Sequence, residues 1–144
     1  MLRKNMDKET IMGDKRIILL PAVPYSQSCY EGFEAEKAVD GDPETCWKAG
    51  PYYQWLLLDL RSECRVSHME LRFSQTAYYY HYHIEYSSDR MNWHFLFEKE
   101  NNSPEPPDGM ICAVEKNCRF IRITVSYCSG SEDAEISNVS VYGC

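Results

Sequence analysis

The sequence predicts an all-β domain, a sandwich or barrel of roughly eight short antiparallel strands. Three observations support this prediction. From Arg16 onward, short apolar or alternating runs are separated by clusters of turn-forming residues. No segment of useful length shows the roughly 3.6-residue apolar period of a helix. The chain has 144 residues, the length of a single domain, so one β-domain accounts for it.

The predicted elements follow one another from residue 16 to residue 144. Residues 1–15 are charged and lack a sustained apolar period, so we expect a linker or a disordered leader. A loop with three prolines, NNSPEPPDG, has no capacity to form a strand. The predicted strands are RIILL (16–20), QWLLLDL (54–60), VSHMELRF (66–73), YHYHIEYS (80–87), HFLFE (94–98), MICAV (110–114), RFIRITV (119–125) and ISNVSVYG (136–143).

The patterns within three of these strands predict which faces are buried. The run 54–60 is apolar at nearly every position, so we expect it to be buried on both faces. The other two strands alternate, and alternate residues of a strand share a face. In the first of these, Met69, Leu71 and Phe73 lie on one side. In the second, Tyr80, Tyr82, Ile84 and Tyr86 share one face, and His81, His83 and Glu85 share the other.

The charge pattern limits the class of ligand. The formal net charge is -7, and the 15 lysine and arginine residues are scattered rather than clustered. Nucleic acids and anionic membranes require a concentrated positive field, so neither is an expected partner. The chain contains 11 tyrosines, whose apolar rings and polar hydroxyls serve both cores and binding surfaces. A neutral ligand such as a sugar fits this balance.

The cysteines predict a reducing environment. There are seven, an odd number, and no C-x-x-C pair indicates a zinc ribbon or a thioredoxin-type motif. The first residues lack the apolar core of a signal peptide, and no apolar run approaches the length of a membrane span. We therefore expect mostly free thiols and a cytoplasmic rather than a secreted protein. A fragment of a longer chain would lack a signal peptide as well.

The segment AVDGDPETCW (38–47) concentrates oxygen-bearing side chains in one turn. Asp40, Asp42 and Thr45 offer hard oxygens within six residues, which suits a calcium ion. The same residues also suit an Asx-type turn that needs no ion, and both interpretations remain open. A pair of glycosidase carboxylates is excluded because the two aspartates lie in one tight turn rather than across a cleft.

Aromatic and basic side chains near two loops are the candidate ligand contacts. Aromatic rings stack on the C–H faces of sugars, while arginine and histidine bond their hydroxyls. The alternative is that some of these tyrosines only cap the sandwich. We predict a shallow patch that draws on Tyr52, Tyr53, Tyr78, Tyr79, His81 and Arg72.

Three other motifs have simpler interpretations. Trp47, Trp55 and Trp93 stand next to apolar residues, so we expect them to fill the interior rather than to form sugar platforms. His81 and His83 share a strand face, but no third ligand indicates a metal site. The cysteines lack an activating motif that would indicate a thiol nucleophile.

Five motifs in order resemble one family. They are EAEKAVDGDPETCW (34–47), QWLLLDL (54–60), HIEYSSDRMNW (83–93), RFIRITV (119–125) and VSVYG (139–143). Together they resemble the F5/8 type C, or discoidin, domains and the related sugar-binding modules of bacterial glycosidases, from about Leu19 to Gly143. Within this group the chain is most similar to the C-terminal accessory domains of family 43 glycoside hydrolases, the xylosidase and arabinofuranosidase group.

The resemblance implies a jelly-roll sandwich of the galactose-binding type. It also implies a structural calcium ion held by the 40–45 loop and by an acid on the last strand, a position where this chain has Asn138. Relatives often place an aromatic residue before the last strand, and here that loop offers only Tyr127, at a strand edge. The implied function is a bacterial, non-catalytic module that binds a neutral glycan beside a glycoside hydrolase catalytic domain. The alternatives are a structural or protein-interaction domain and, against the acidic balance, a lipid- or cell-surface binder.

Overall fold

The computed structural model describes residues 16–144, so the predicted leader, residues 1–15, lies outside the described residues. This part of the chain contains nine strands and a single short 3₁₀ helix at Ala35–Ala38. No helix in it is long and apolar enough to cross a membrane. The strands are β1 (Ile18–Leu19), β2 (Val23–Ser26), β3 (Trp47–Ala49), β4 (Gln54–Arg72), β5 (Tyr80–Ser87), β6 (His94–Lys99), β7 (Met110–Cys128), β8 (Ala134–Ile136) and β9 (Asn138–Gly143).

Two 19-residue strands, β4 and β7, pair antiparallel and organise a β-sandwich. Their register shifts between Asp59 and Cys64. Before the shift β4 has β2 on its other side, and after it β4 has β9. A strand that changes neighbours at a bulge passes from one sheet of a sandwich to the other. One layer therefore contains β2, β5, β6 and the adjoining halves of β4 and β7, while the other contains β1, β9 and the remaining halves. β3 and β8 form a separate two-stranded sheet.

The core fills the space between the layers, and two buried apolar side chains, Leu57 and Phe120, lie outside the core cluster. Leu56 and Leu58 belong to the core, whereas Leu57, which alternates with them, is buried outside that cluster. Run 54–60 is thus buried on both faces, as predicted. On the outer face the guanidinium of Arg119 lies 4.9 Å from the Phe120 ring centroid, an arrangement that shields the ring and gains a cation–π attraction.

Two pairs of predicted strands prove to be single strands. Predicted strands 54–60 and 66–73 join into β4, and strands 110–114 and 119–125 join into β7. The polar residues between them resemble a turn in the sequence, but they form the exposed corner where each strand changes layers. Arg61 takes a positive φ of 74° at this corner. The short strands β2, β3 and β8 were not predicted, because three or four residues are too few to show a period.

The predicted faces agree with the structure except at the end of β5. The range of β5 is the predicted 80–87, and Tyr80, Tyr82 and Ile84 are buried as expected. Tyr86 is only half-buried, because the register of β5 against β6 shifts after Ile84. The three apolar residues predicted to share one side of the strand at 66–73 are all buried: Met69, Leu71 and Phe73.

Candidate functional site

Several loops meet at one end of the sandwich because their strands begin or end side by side. Gln54 at the start of β4 pairs with Val125 near the end of β7, and Tyr80 at the start of β5 pairs with Cys128. The β3–β4, β4–β5 and β7–β8 loops therefore share this edge. The β6–β7 loop reaches the same edge through Asn102, whose side chain contacts His81 near the start of β5. We call this region the loop end.

Four rings at the loop end form what we call the tyrosine cluster: Tyr52, Tyr79, His81 and Tyr127. The Tyr127 ring centroid lies 5.7 Å from that of Tyr52, 5.8 Å from Tyr79 and 5.2 Å from His81. His81 Nε2 lies 3.0 Å from Asn102 Oδ1. A hydrogen bond with Tyr79 raises the pKa of the Tyr127 phenol. The cluster therefore combines partly exposed ring faces with hydroxyl groups.

The other two predicted tyrosines are placed differently. Tyr53 is 67% exposed next to the cluster. Tyr78 is half-buried and its ring lies flat on Gly130, where a Cβ atom would clash with the ring. The central ring of the cluster is Tyr127, which contacts the other three rings, rather than Tyr53 or Tyr78. It was not among the predicted ligand contacts because the predicted strand 119–125 ended short of it, whereas β7 continues to Cys128 and pairs Tyr127 with His81.

The loop end also contains a cavity of about 440 Å³, which we call the loop-end cavity. Lys48 and Glu135 are register partners of β3 and β8, so their side chains share a face, and both line this cavity. Phe33 supplies an aromatic wall and Ser74 a hydroxyl. Arg72 lies here too, away from the tyrosine cluster, and its Nη2 donates to the Asp108 carbonyl oxygen at 3.5 Å.

Polar groups of the loop-end cavity retain unused hydrogen-bonding capacity. Glu135 is 7% exposed, and its Oε1 accepts a 2.6 Å hydrogen bond from the Tyr80 hydroxyl. Its other carboxylate oxygen has no partner among the described residues. Ser74 Oγ is buried and likewise has no partner in this part of the chain. The Lys48 ammonium lies 5.6 Å from the Phe33 ring centroid. A buried polar group without a partner is costly, so the Ser74 hydroxyl favours a polar ligand or water in this cavity.

The 40–45 turn borders the cavity and is organised around one hydroxyl. Thr45 Oγ1 lies 2.7 Å from Asp40 Oδ2, 3.2 Å from the Asp42 carbonyl oxygen and 3.3 Å from the Lys37 carbonyl oxygen. The Asp42 carboxylate points elsewhere and accepts a hydrogen bond from the Glu44 amide at 2.8 Å. The Thr45 hydroxyl and the Asp42 amide hold the pKa of Asp40 below its usual range.

This arrangement fits part of a calcium site. Four hard oxygens converge, of which one is a carboxylate oxygen, and calcium takes six to eight in total. Asn138, the predicted ligand from the last strand, lines a second cavity together with Gly41 of the turn. The Asn138 amide donates to Ser140 Oγ at 3.1 Å and contributes no charge. Residues 16–144 contain no cluster of three or more histidine, cysteine or acidic side chains suited to a metal ion.

The three tryptophans are not exposed platforms. Trp47 is fully buried, as predicted, and its Nε1 donates to the Ser28 carbonyl oxygen at 3.0 Å. Trp55 and Trp93 are half-buried rather than fully interior. The Arg122 guanidinium covers the Trp93 ring at 4.0 Å, so that ring already has a cationic neighbour from its own chain.

A buried lysine that the sequence did not indicate organises the β6–β7 loop. Lys99 Nζ donates to the carbonyl oxygens of Tyr80, Asn101 and Ser103 at 3.0, 3.1 and 3.0 Å. It also lies 3.0 Å from Glu105 Oε2, and the two side chains are 11% and 3% exposed. This loop carries Asn102 of the histidine contact and Pro107 of the cavity wall. A single lysine at a strand end gives no sequence signal for such a role.

Comparison with solved structures identifies several similar chains. A family 89 glycoside hydrolase from Clostridium perfringens has a TM-score of 0.79 and 27% identity, covering 85% of this chain and 14% of that one. The CBM32 of AlyQ, in complex with 4,5-unsaturated mannuronic acid, has a TM-score of 0.75 and 18% identity, covering 86% and 97%. The chitosan-binding module 1 of a chitosanase/glucanase from Paenibacillus sp. IK-5 has a TM-score of 0.72 and 23% identity, covering 86% and 96%.

The similarity to the last two modules, below 25% identity, shows a common fold. The chain spans only a small part, about 14%, of the Clostridium perfringens enzyme. A comparison with curated proteins finds no match. The F5/8 type C domain model matches residues 23–138, which is most of the chain and agrees with the resemblance seen in the sequence. This chain belongs to the F5/8 type C domain family.

Proposed function

We propose that this domain is a non-catalytic carbohydrate-binding module whose ligand enters the loop-end cavity. The observation that carries this proposal is the concentration of unpartnered polar groups around one cavity, notably the free oxygen of Glu135 and the Ser74 hydroxyl. A cavity of about 440 Å³ is within the range typical of small-ligand sites. Two similar modules, one in complex with 4,5-unsaturated mannuronic acid and one a chitosan-binding module, support the same class of ligand.

The groups that line the cavity suit a sugar. The Phe33 ring, 38% exposed, offers a surface for C–H faces. Glu135 accepts hydrogen bonds from ring hydroxyls, while Lys48 and Arg72 donate to hydroxyl and ring oxygens. The tyrosine cluster beside the β4–β5 loop offers further stacking surface from Tyr52 and Tyr79, with His81 as a polar contact. Binding to one sugar unit is expected to be weak, because so open a site buries little apolar area.

The parent protein is proposed to be a glycoside hydrolase, with family 43 as the resemblance in the sequence suggests. The three similar structures come from a family 89 hydrolase, from AlyQ, which also carries an alginate lyase domain, and from a chitosanase/glucanase. A module of this kind raises the effective concentration of its catalytic partner at a polymer. One structural calcium ion is proposed for the Asp40–Thr45 turn, where it would join the converging oxygens and stiffen the cavity wall.

Isothermal titration of the domain with xylose, arabinose and galactose oligomers tests the proposal. We expect millimolar or tighter binding of at least one series. Glu135→Gln and Lys48→Met each remove one charged contact and should weaken binding roughly tenfold, since such contacts contribute about 1–2 kcal/mol. Tyr79→Ala removes only secondary stacking surface and should weaken binding less than either of these variants.

A matched control is Phe95→Ala, which removes a ring that is 65% exposed on β6. This variant should bind like the wild type. If no oligomer binds at millimolar concentration, the alternative of a structural or protein-interaction domain replaces this proposal. If binding occurs but only Phe95→Ala weakens it, the module is correct and its site is not at the loop end.

A further inference from the structure

Cys64 and Cys118 face each other across the β4–β7 ladder. They are register partners at the point where pairing resumes after the shift that follows Asp59. Directly opposed residues of an antiparallel pair share a face, with Cα atoms about 4.5 or 5.5 Å apart. Both separations lie within the window of about 4.4–6.8 Å that a disulfide bridges. The ladder therefore places the Cα atoms of the two free cysteines at a separation that a disulfide can bridge.

The two thiols differ in exposure but border the same core. Cys118 is fully buried in the core cluster, and Cys64 is half-buried and packs against that cluster. The Cys64 thiol donates to the Ser62 carbonyl oxygen at 3.4 Å at the exposed corner of the strand. Cys112, another buried cysteine of β7, has Met69 as its partner across the ladder and so opposes no thiol. The Cys64–Cys118 pair thus joins an accessible thiol to a protected one.

We propose that Cys64 and Cys118 form a reversible intrachain disulfide when the protein meets a low-molecular-weight disulfide such as oxidised glutathione. The Cys64 thiolate attacks one glutathione sulfur, which breaks that S–S bond and releases one glutathione thiolate. The Cys118 thiolate then attacks Cys64 Sγ in the mixed disulfide and releases the second glutathione. Two electrons pass to the glutathione disulfide, and the two thiol protons end on the two glutathione molecules.

The position of the pair predicts the consequences of the bridge. β4 runs from Gln54 at the loop end to the corner and back to Arg72, so Cys64 lies at the end of the sandwich remote from the loop-end cavity. A disulfide there would link β4 and β7 where both strands pass from one layer to the other. It would not change the geometry of the loop-end cavity. Burial raises the pKa of Cys118 to about 12, which makes the second exchange the slow one.

Peptide mapping of the full chain tests this proposal. The protein is incubated with oxidised glutathione, blocked with N-ethylmaleimide and digested with trypsin. Cleavage releases Ser62–Arg65 and Asn117–Arg119, each with a single cysteine. We expect a disulfide-linked pair of these two peptides that disappears on reduction. The oxidised protein should melt roughly 5–10 °C higher than the reduced one, as expected for a native-compatible bridge.

Two variants serve as controls. Cys64→Ser should lose the linked peptide and the gain in melting temperature, whereas Cys112→Ala should keep both. Glycan titration should give the same affinity for oxidised and reduced protein, which separates this proposal from the one for the loop end. The proposal is overturned if the two peptides are recovered singly as maleimide or glutathione adducts, or if Cys118 is found linked to a different cysteine.

Discussion

Two loops that border the loop-end cavity are held in place by different means. The Asp40–Thr45 turn is exposed, and its own side chains and carbonyl groups supply its hydrogen bonds. The β6–β7 loop is fastened by Lys99, a buried cation that bonds three carbonyl oxygens and pairs with Glu105. Exposed hydrogen bonds compete with water and contribute little net stability, whereas a buried charge that loses its partner is costly. The cavity therefore has one rigid wall and one wall that a ligand or an ion can still stabilise.

Loss of the buried cation is expected to have the largest effect on the free energy of unfolding. Lys99→Met leaves the Glu105 carboxylate buried without its partner and removes the donor of three carbonyl oxygens. We expect a loss of about 3–5 kcal/mol in the free energy of unfolding, measured by urea denaturation. Lys116→Met, at an exposed position of β7, is the control and should change stability by less than about 0.5 kcal/mol. Equal effects of the two variants would show that the β6–β7 loop is not fastened by Lys99.

Calcium binding is expected to have the next largest effect on the stability of the folded state. If the converging oxygens of the Asp40–Thr45 turn bind the ion, a hundredfold excess over its dissociation constant stabilises the folded state by about 2.7 kcal/mol. The melting temperature in millimolar calcium, compared with that in EDTA, measures this gain. Asp40→Asn should abolish the gain because it removes the one carboxylate among those oxygens. An unchanged melting temperature of the wild type would mean that the turn is closed by its own hydrogen bonds alone.

The smallest expected effect is a change in the pH dependence of the melting temperature. The Thr45 hydroxyl and the Asp42 amide lower the pKa of Asp40 in the folded state. A lowered folded pKa stabilises the protein above the ordinary carboxyl pKa, near 4, and the contribution is lost as the pH falls through the lowered value. The melting temperature of the wild type should therefore fall more steeply below about pH 4 than that of Asp40→Asn. Parallel curves for the two proteins would contradict a stabilising role of the ionised Asp40.

The contrast between the Asp40–Thr45 turn and the β6–β7 loop also explains which features could be predicted from the sequence. The oxygens of the 40–45 segment and its turn residues lie within a few positions of one another, so the turn and its oxygen-bearing side chains could be predicted from the sequence. The alternation in β5 and the apolar run of β4 likewise predicted the buried faces. The role of Lys99 depends on carbonyl groups that only the folded chain brings together, including that of Tyr80 from another strand. No local pattern contains that information.

The candidate site could be predicted only in part for a related reason. Tyr52, Tyr79 and His81 were expected at one patch, and the structure brings them together. Their shared neighbour Tyr127 was placed at a strand edge and left out of the predicted patch, whereas β7 continues past it and pairs it with His81. The cavity itself depends on Lys48 and Glu135, which stand on short strands without a visible period. Arg72 was predicted as a ligand contact, but the length of β4 places it in the cavity rather than beside the tyrosines.

An amide chemical-shift titration of the ¹⁵N-labelled domain with the tightest-binding oligosaccharide tests most directly where the ligand sits. We expect the largest shifts at Lys48, Gln75 and Glu135, which line the loop-end cavity, with smaller shifts at the tyrosine cluster. The amides of Glu85 and Arg122 on the outer face of β5 and β7 should stay unchanged, since an ion pair within the chain already occupies those side chains. Shifts confined to that outer face, or none at saturating sugar, would contradict a carbohydrate site in the loop-end cavity.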